Sequence, residues 1–175
     1  GKFVIPLLSG HEGGANHWAQ TWADALNATC VLTTARAYTN PVYVAGIGCD
    51  RGCPAALIQE LAEQTMAKYQ LSLGQLDAIA SVTLKSTESG LLSVAESLQL
   101  PIVFFSATTL NQYTDRLTQH SDIVFRETGC YGVAEAAALA HAETLANGQA
   151  DLIIPKHKNA RATFAVARAY LESVT

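Results

Sequence analysis

Apolar positions along the chain recur with two different periods, and their alternation predicts an α/β protein. Short continuous apolar runs are typical of buried strands, whereas apolar residues three and four positions apart are typical of helices that face a core. The predicted strands cover residues 3–8, 29–33, 42–47, 78–84, 102–105, 152–155 and 162–167, and the predicted helices cover 15–26, 54–69, 87–98 and 131–146. The run 162–167 also fits a helix. Separately, Ser106 is predicted to cap a short helix that begins directly after Ser106.

A polar, turn-prone stretch at residues 35–41 divides this pattern into two parts. Residues 1–38 predict a strand, a helix and a second strand. Residues 42–175 predict a mostly parallel sheet flanked by helices, because strand and helix signals alternate along them. We therefore expect an α/β fold whose main body begins near Val42, with the N-terminal strand-helix-strand as an appendage.

A glycine-rich run at residues 7–16 lies between the first predicted strand and the first predicted helix. Glycine lets the backbone approach a ligand closely, and the amides at a helix start attract an anion. A histidine can transfer a proton, a glutamate can act as a base, and serine or asparagine can donate a hydrogen bond. The alternative is a plain turn in which Asn16 caps the helix. The candidate residues are Ser9, His11, Glu12, Gly13, Gly14 and Asn16.

Loop 46–52 follows a predicted strand, at the position where open α/β sheets bind ligands. It resembles a dinucleotide fingerprint but lacks the third glycine at the right offset and the later acid, so we do not expect NAD. Within this loop, Arg51 either clamps a carboxylate through its planar fork or pairs with Asp50 or Glu60.

Two further loops follow predicted strands or precede helices. Loop 85–90 either binds a ligand or caps a helix, with Glu88 in the first turn, where its charge complements the helix dipole. Loop 127–135 leads into an alanine-rich helix, and we expect its residues to serve close packing rather than binding.

The composition narrows the range of partners. Of the 175 residues, 49% are hydrophobic and only 15% are charged, so we expect a partner subunit, a neighbouring domain or a ligand to cover part of the surface, and a homo-oligomer is one option. The net charge of −4 and the absence of a basic cluster argue against nucleic acid. No apolar run approaches the roughly 20 residues of a membrane span, and no signal peptide is recognisable, so we expect a cytoplasmic protein without membrane contact.

The four cysteines do not predict a metal centre. Cys49 and Cys53 have a C-x3-C spacing, which matches neither a thioredoxin-like motif nor a zinc-finger pair. Cys30 and Cys130 stand alone, so we expect all four to be small buried hydrophobes, although a site with His11 and His17 is conceivable.

Taken together, these segments resemble the CbiG family of cobalamin-biosynthesis proteins, the cobalt-precorrin-5A hydrolases. The run 7–16 with Thr33-Thr34-Ala35 is similar to the N-terminal region of that family. The remainder, from about Val42, is similar to the C-terminal domain that CbiG shares with CobE of the aerobic pathway. Its motifs lie at residues 46–49, 51–52, 81–85, 88–92, 100–101, 105–106 and 132–138, followed by Lys156 and Ala162-Thr163.

The resemblance implies hydrolytic opening of the ring A lactone of a cobalt-bound tetrapyrrole, with loss of a two-carbon fragment as acetaldehyde. His11 or Glu12 would supply the base, while Ser9, Asn16 and the glycine amides would donate hydrogen bonds to the oxyanion. The cobalt enters as part of the substrate, so we expect no cofactor and no metal site of the protein's own.

The same resemblance places cations against the carboxylates of the macrocycle. Lys85 and Lys156 would pair with its acetate and propionate arms, and we expect both lysines and Arg51 to face one cleft near residues 9–16. The predicted substrate-binding residues are Gly13, Gly14, Asn16, Gly48, Cys49, Arg51, Gly52, Lys85, Glu88, Gly90 and Lys156.

Compared with the family, this chain begins inside the first strand and has a short linker in place of a central domain. The resemblance therefore predicts a short or truncated form, whose partner would be another cobalamin-biosynthesis enzyme or a fused domain. A CobE-like role, as a non-catalytic binder or carrier of a corrinoid intermediate, is the alternative to catalysis.

Overall fold

The computed structural model describes residues 40–171. The predictions for residues 1–38, which are the strand-helix-strand appendage and the glycine-rich run 7–16, lie outside the described residues. None of the helices between residues 40 and 171 combines the length and the apolar character that a membrane crossing needs.

A five-stranded mixed sheet forms the centre of the described domain. The strands are β1 (Pro41–Cys49), β2 (Ala78–Val82), β3 (Ile102–Phe105), β4 (Asp151–Lys158) and β5 (Ala162–Tyr170), in the spatial order β3-β2-β1-β5-β4. β1, β2 and β3 pair in parallel, while β5 is antiparallel to both β1 and β4. Four of these five strands therefore point the same way, which confirms the predicted α/β fold with a mostly parallel sheet.

Five α-helices connect these strands within residues 40–171. They are α1 (Ala55–Lys68), α2 (Ser89–Leu98), α3 (Ala107–Asn111), α4 (Asp122–Thr128) and α5 (Val133–Ala146), with single 3-10 turns at Leu73–Gln75, Thr83–Lys85 and Thr114–Arg116. The hydroxyl of Ser106 accepts a hydrogen bond from the amide of Thr109 at 3.1 Å, so the predicted cap of α3 is confirmed.

The two faces of the sheet carry separate apolar cores, because successive side chains of a strand point to opposite sides. Val42 and Val44 of β1 pack on the face covered by α5, whereas Ala45 and Ile47 pack on the face covered by α1 and α2. The domain therefore has three layers, with helices on both sides of the sheet.

The alanine-rich helix α5 lies unusually close to the sheet. A Cβ atom added to Gly46 would lie 1.8 Å from the carbonyl oxygen of Ala134, so only glycine fits at this crossing. The alanines at positions 136–138 are fully buried, in agreement with the packing role predicted for this segment.

Several element boundaries differ from the predictions. The strand predicted over 78–84 ends at Val82, because the ladder to β3 ends there and a 3-10 turn follows. The helix predicted from residue 87 begins at Ser89. The strand predicted over 162–167 is confirmed and extends to Tyr170 as β5. Helix α4 was not predicted, since seven residues are too few to show a helical period.

Candidate functional site

A cleft of about 250 Å³ lies beyond the carboxyl ends of the parallel strands. Its walls come from the end of β1, the turn after β2, helix α4, the start of α5, and the hairpin that joins β4 to β5. Open α/β sheets bind ligands at this edge. The topology therefore brings together loops that are far apart along the chain.

A glycine of β1 keeps the floor of this cleft open. A Cβ atom added to Gly48 would lie 2.7 Å from the hydroxyl of Thr163 and 3.5 Å from the Cβ of Val133. Any larger side chain at this position would push β5 and α5 apart or fill the cleft.

The loop after β1, residues 50–53, forms one rim and is held from two sides. The amide of Asp50 donates to the carbonyl oxygen of Arg161 at 2.9 Å, and the guanidinium of Arg161 donates to the carbonyl oxygen of Arg51, also at 2.9 Å. On the other side, the amide of Gly52 donates to the carboxylate of Glu88 at 2.9 Å. Gly52 has a φ of +74°, a conformation that favours glycine. This rim loop is therefore fixed before any ligand arrives.

The opposite rim is the turn between β4 and β5, which Asn159 organises. Its side-chain oxygen accepts from the amides of Arg161 and Ala162 at 2.9 and 2.8 Å, and its side-chain nitrogen donates to the carbonyl oxygen of Leu57 at 3.0 Å. The hairpin is thereby fastened to α1.

A buried carboxylate anchors the strand that carries two of the cleft lysines. Glu135 of α5 is only 2% exposed, and its carboxylate accepts from the amides of Thr118 and Lys156 at 2.7 and 2.8 Å, as well as from the hydroxyl of Thr118. Buried charged groups are normally satisfied in this way. In the sequence, Glu135 was recognisable only as an acid in the first turn of an alanine-rich helix. Nothing in the sequence indicated that it would bond to Thr118 and Lys156.

Four cationic side chains line the cleft: Lys85, Lys156, Lys158 and Arg161. The acidic side chains that line it are those of Asp50 and Glu127. Arg161 lies 3.9 Å from the carboxylate of Asp50, whereas the three ammonium groups form no ion pair within residues 40–171. The cleft is therefore suited to anionic ligands.

The surroundings of Lys156 lower the pKa of its ammonium group. Burial lowers the pKa of its ammonium group from the ordinary value, and the positive charge of Lys158 lowers that pKa further, while Glu135 opposes the shift. A ligand carboxylate beside this group would relieve the repulsion between the two lysines.

The predicted binding residues of the described domain divide into two groups. Gly48, Cys49, Lys85 and Lys156 all line the cleft, so the expected convergence of the two lysines is present in the structure. Their part in binding stays a prediction, and the candidates in run 7–16 lie outside the described residues.

The second group stands behind the cleft. Arg51 is exposed and does not line the cleft. Its carbonyl oxygen accepts a hydrogen bond from the guanidinium of Arg161. Arg161, and not Arg51, is therefore the arginine that lines the cleft. Gly52 and Glu88 bond to one another, and a Cβ atom on Gly90 would lie 2.1 Å from the carbonyl oxygen of Cys53. These residues shape the rim. Sequence reasoning missed Lys158 and Arg161, although Lys158 has the two-residue spacing from Lys156 that puts both on one side of a strand.

The cysteines near the cleft are poor nucleophiles. Burial raises the pKa of the Cys49 thiol to about 11, although the positive charge of Lys85 opposes the shift, and burial also raises the pKa of Cys53. A thiol with so high a pKa is protonated at neutral pH. Among residues 40–171, no three His, Cys, Asp or Glu side chains group as metal ligands.

The described residues thus form an α/β domain with a small cationic cleft at the carboxyl edge of its sheet, which is where open α/β sheets place their ligand sites. The chain matches the family model "Cobalamin synthesis G C-terminus" over residues 43–167 and "Cobalamin synthesis G N-terminal" over residues 1–36. It therefore belongs to the cobalamin synthesis G family.

Relatives of two kinds share this sequence. The chain is 40% identical to the protein CobE of Sinorhizobium sp. over 124 residues, which are 71% of this chain and 78% of CobE. It is 36% identical to the cobalt-precorrin-5A hydrolase of Priestia megaterium over 137 residues, which are 78% of this chain and 35% of the hydrolase. The chain thus spans about a third of that hydrolase.

A solved structure shares the fold. The crystal structure of CobE, a protein from the cobalamin (vitamin B12) biosynthetic pathway, superimposes with a TM-score of 0.71 and 44% sequence identity, covering 74% of this chain and 94% of CobE. The chain is accordingly a homologue of both CobE and cobalt-precorrin-5A hydrolases, and its place is in cobalamin biosynthesis.

Proposed function

We propose that this chain opens the ring A lactone of cobalt-precorrin-5A by hydrolysis, with release of acetaldehyde, and that the cationic cleft binds carboxylate arms of this substrate. The observation that carries the proposal is the match of residues 1–36 to the N-terminal family model, because that segment contains the ionisable run 7–16. A chain that served only as a carrier would need the cleft but no base.

The chemistry requires a base and oxyanion donors. Water attacks the lactone carbonyl, and the bond between the carbonyl carbon and the ring oxygen breaks. The carbonyl carbon becomes a carboxylate, and the ring oxygen takes up a proton and becomes a hydroxyl group. His11 or Glu12 accepts the proton of the attacking water, while Ser9, Asn16 and the amides of Gly13 and Gly14 donate hydrogen bonds to the developing oxyanion. The carbon that bears this hydroxyl then leaves as acetaldehyde: the hydroxyl loses its proton, its C–O bond becomes C=O, the C–C bond to the macrocycle breaks, and the macrocycle carbon keeps the electron pair and takes up a proton.

The described domain contributes binding. The ammonium groups of Lys85 and Lys156 pair with acetate and propionate arms, because each lacks an ion-pair partner within residues 40–171 and both line one cleft. Hydrogen bonds to charged groups contribute about 1.5–3 kcal/mol each. We therefore assign binding of the carboxylate arms to the cleft.

The test is an incubation with cobalt-precorrin-5A in which acetaldehyde is measured by a coupled alcohol dehydrogenase assay. The wild-type chain should release acetaldehyde, and the double variant His11→Ala, Glu12→Ala should release it at least about 100-fold more slowly, as is typical after loss of a general base. The matched control is Glu96→Gln, which alters an exposed carboxylate of α2. Equal rates in the double variant and the wild type would exclude both residues as the base.

A CobE-like carrier function is the second candidate. The specific observation in its favour is that the chain covers 78% of CobE but only 35% of the Priestia hydrolase. If the carrier function holds, the same incubation gives a bound tetrapyrrole with an unchanged lactone and no acetaldehyde.

A further inference from the structure

The size of the cleft limits what it can hold. Pockets that enclose a drug-sized ligand usually measure about 300–1,000 Å³. The present cleft, at about 250 Å³, is smaller than that range, and a tetrapyrrole macrocycle is larger than most drugs. The cleft is therefore too small to enclose a whole macrocycle.

The charges inside the cleft face each other from two sides. Lys85 follows β2, whereas Lys156, Lys158 and Arg161 belong to the β4–β5 hairpin. Of the two acids, Asp50 is already next to Arg161, and Glu127 has no ion pair within the described domain. Cations therefore outnumber acids, and adjacent carboxylates can each meet an ammonium or a guanidinium group.

Two exposed apolar side chains are close in sequence to residues that line the cleft. Leu84, which is 57% exposed, precedes Lys85. Ile123, which is 61% exposed, lies one turn before Glu127 on the same face of α4. Large apolar residues at such exposure, next to a charged cleft, suit a ligand with an apolar body and anionic arms.

We propose that the cleft binds the carboxylate arms of a single pyrrole-derived ring, that Lys158 and Arg161 are carboxylate ligands together with Lys85 and Lys156, and that the rest of the macrocycle lies outside the cleft near Leu84 and Ile123. This binding mode rests on the proposed function, because it assumes a tetrapyrrole ligand.

The experiment uses the full chain and two probes. Uroporphyrin carries an acetate and a propionate on every ring, and porphobilinogen is a single pyrrole ring with the same two arms. Binding of uroporphyrin is followed by fluorescence quenching, and porphobilinogen is added as a competitor. We expect porphobilinogen to displace uroporphyrin and to shift the amide resonances of Gly48 and Gly132, which line the cleft.

The charge variants test the new ligands. Lys158→Gln should weaken uroporphyrin binding roughly fivefold, in the range of a partly screened ion pair, and the loss should shrink in high salt. Arg161→Lys should weaken it roughly tenfold, because the planar fork is lost while the charge remains. Lys68→Gln is the matched control, since Lys68 is an exposed cation at the end of α1 and does not line the cleft. It should leave binding unchanged.

Arg161 also supports the rim loop, so a lower melting temperature of its variant would leave Lys158→Gln as the deciding measurement. If uroporphyrin binds but porphobilinogen does not compete, the binding mode is overturned while the proposed function stands. If uroporphyrin octamethyl ester binds as tightly as the free acid, binding through carboxylate arms is overturned as well, and only the proposed hydrolysis stands. If no tetrapyrrole binds at all, the binding mode and the proposed function are both overturned.

Discussion

Replacement of Glu135 by glutamine tests how the cleft is anchored. In the wild type, one carboxylate oxygen accepts from the amide of Thr118, and the other accepts from the hydroxyl of Thr118 and the amide of Lys156. Glutamine keeps only one oxygen. Whichever oxygen is replaced by the NH2 group, one backbone N–H loses its acceptor and faces another donor.

The cost follows from this geometry. A buried donor without a partner costs about 1–3 kcal/mol, and more when a charged acceptor is lost. We therefore expect Glu135→Gln to lower the free energy of unfolding by about 2–3 kcal/mol, which corresponds to roughly 5–10 °C in melting temperature. The variant should also weaken tetrapyrrole binding, because the amide of Lys156 is released from its anchor.

The assay is urea unfolding followed by far-ultraviolet circular dichroism, together with hydrogen exchange at the amides of Thr118 and Lys156. The control is Glu96→Gln, whose exposed side chain makes no hydrogen bond within residues 40–171, and a change of less than about 0.5 kcal/mol is expected for it. A loss for Glu135→Gln as small as that of the control, with unchanged protection of both amides, would refute the anchoring role.

Three further predictions concern charge, acid stability and packing. Lys85→Glu should weaken tetrapyrrole binding at least about tenfold and leave the melting temperature nearly unchanged, since partly exposed charges contribute little to folding. Burial lowers the pKa of His141, so the unfolded state binds its proton first and stability is lost as pH falls below about 6.5; His141→Gln should remove this loss in urea titrations at several pH values. Gly46→Ala should cost more than about 3 kcal/mol through its clash with Ala134, whereas Gly74→Ala, with 3.8 Å to its nearest atom, should be tolerated in thermal melts.

Local patterns were sufficient for much of the fold. Strand β3 agrees with its prediction residue for residue, and β1 and α5 agree within two residues at each end. All three segments are strongly apolar, and β1 and α5 are largely buried while β3 is half-buried, so the apolar pattern in the sequence is sufficient to predict them. Exposed or short elements, such as α4 and the turn after β2, lack that signal.

The cleft could not be assembled from the sequence because it depends on strand order. β5 inserts next to β1, and the pairing of Cys49 with Ala162 places Arg161 beside Asp50 across more than a hundred residues. No local pattern encodes that neighbourhood. Lys85 and Lys156 were predicted through the family resemblance, whereas Arg161 and the anchor Glu135 become recognisable only after the sheet has formed.

The bond between Glu88 and Gly52 illustrates the same limit. From the sequence, Glu88 could either cap a helix or bind a ligand. In the structure, its carboxylate accepts a hydrogen bond from the amide of Gly52 and so holds the rim loop. Both residues were among the predicted binding residues. Neither lines the cleft, and their hydrogen bond holds the rim loop in place.

We propose that this chain binds cobalt-precorrin-5A and opens its lactone. The most direct measurement is a single-turnover incubation with excess chain, in which the bound tetrapyrrole and the released acetaldehyde are quantified in the same sample. We expect one acetaldehyde for each tetrapyrrole bound, with release slowed by the double variant His11→Ala, Glu12→Ala. A tetrapyrrole that stays bound without any acetaldehyde would contradict the hydrolase function, and a tetrapyrrole that fails to bind would contradict both the hydrolase and the carrier function.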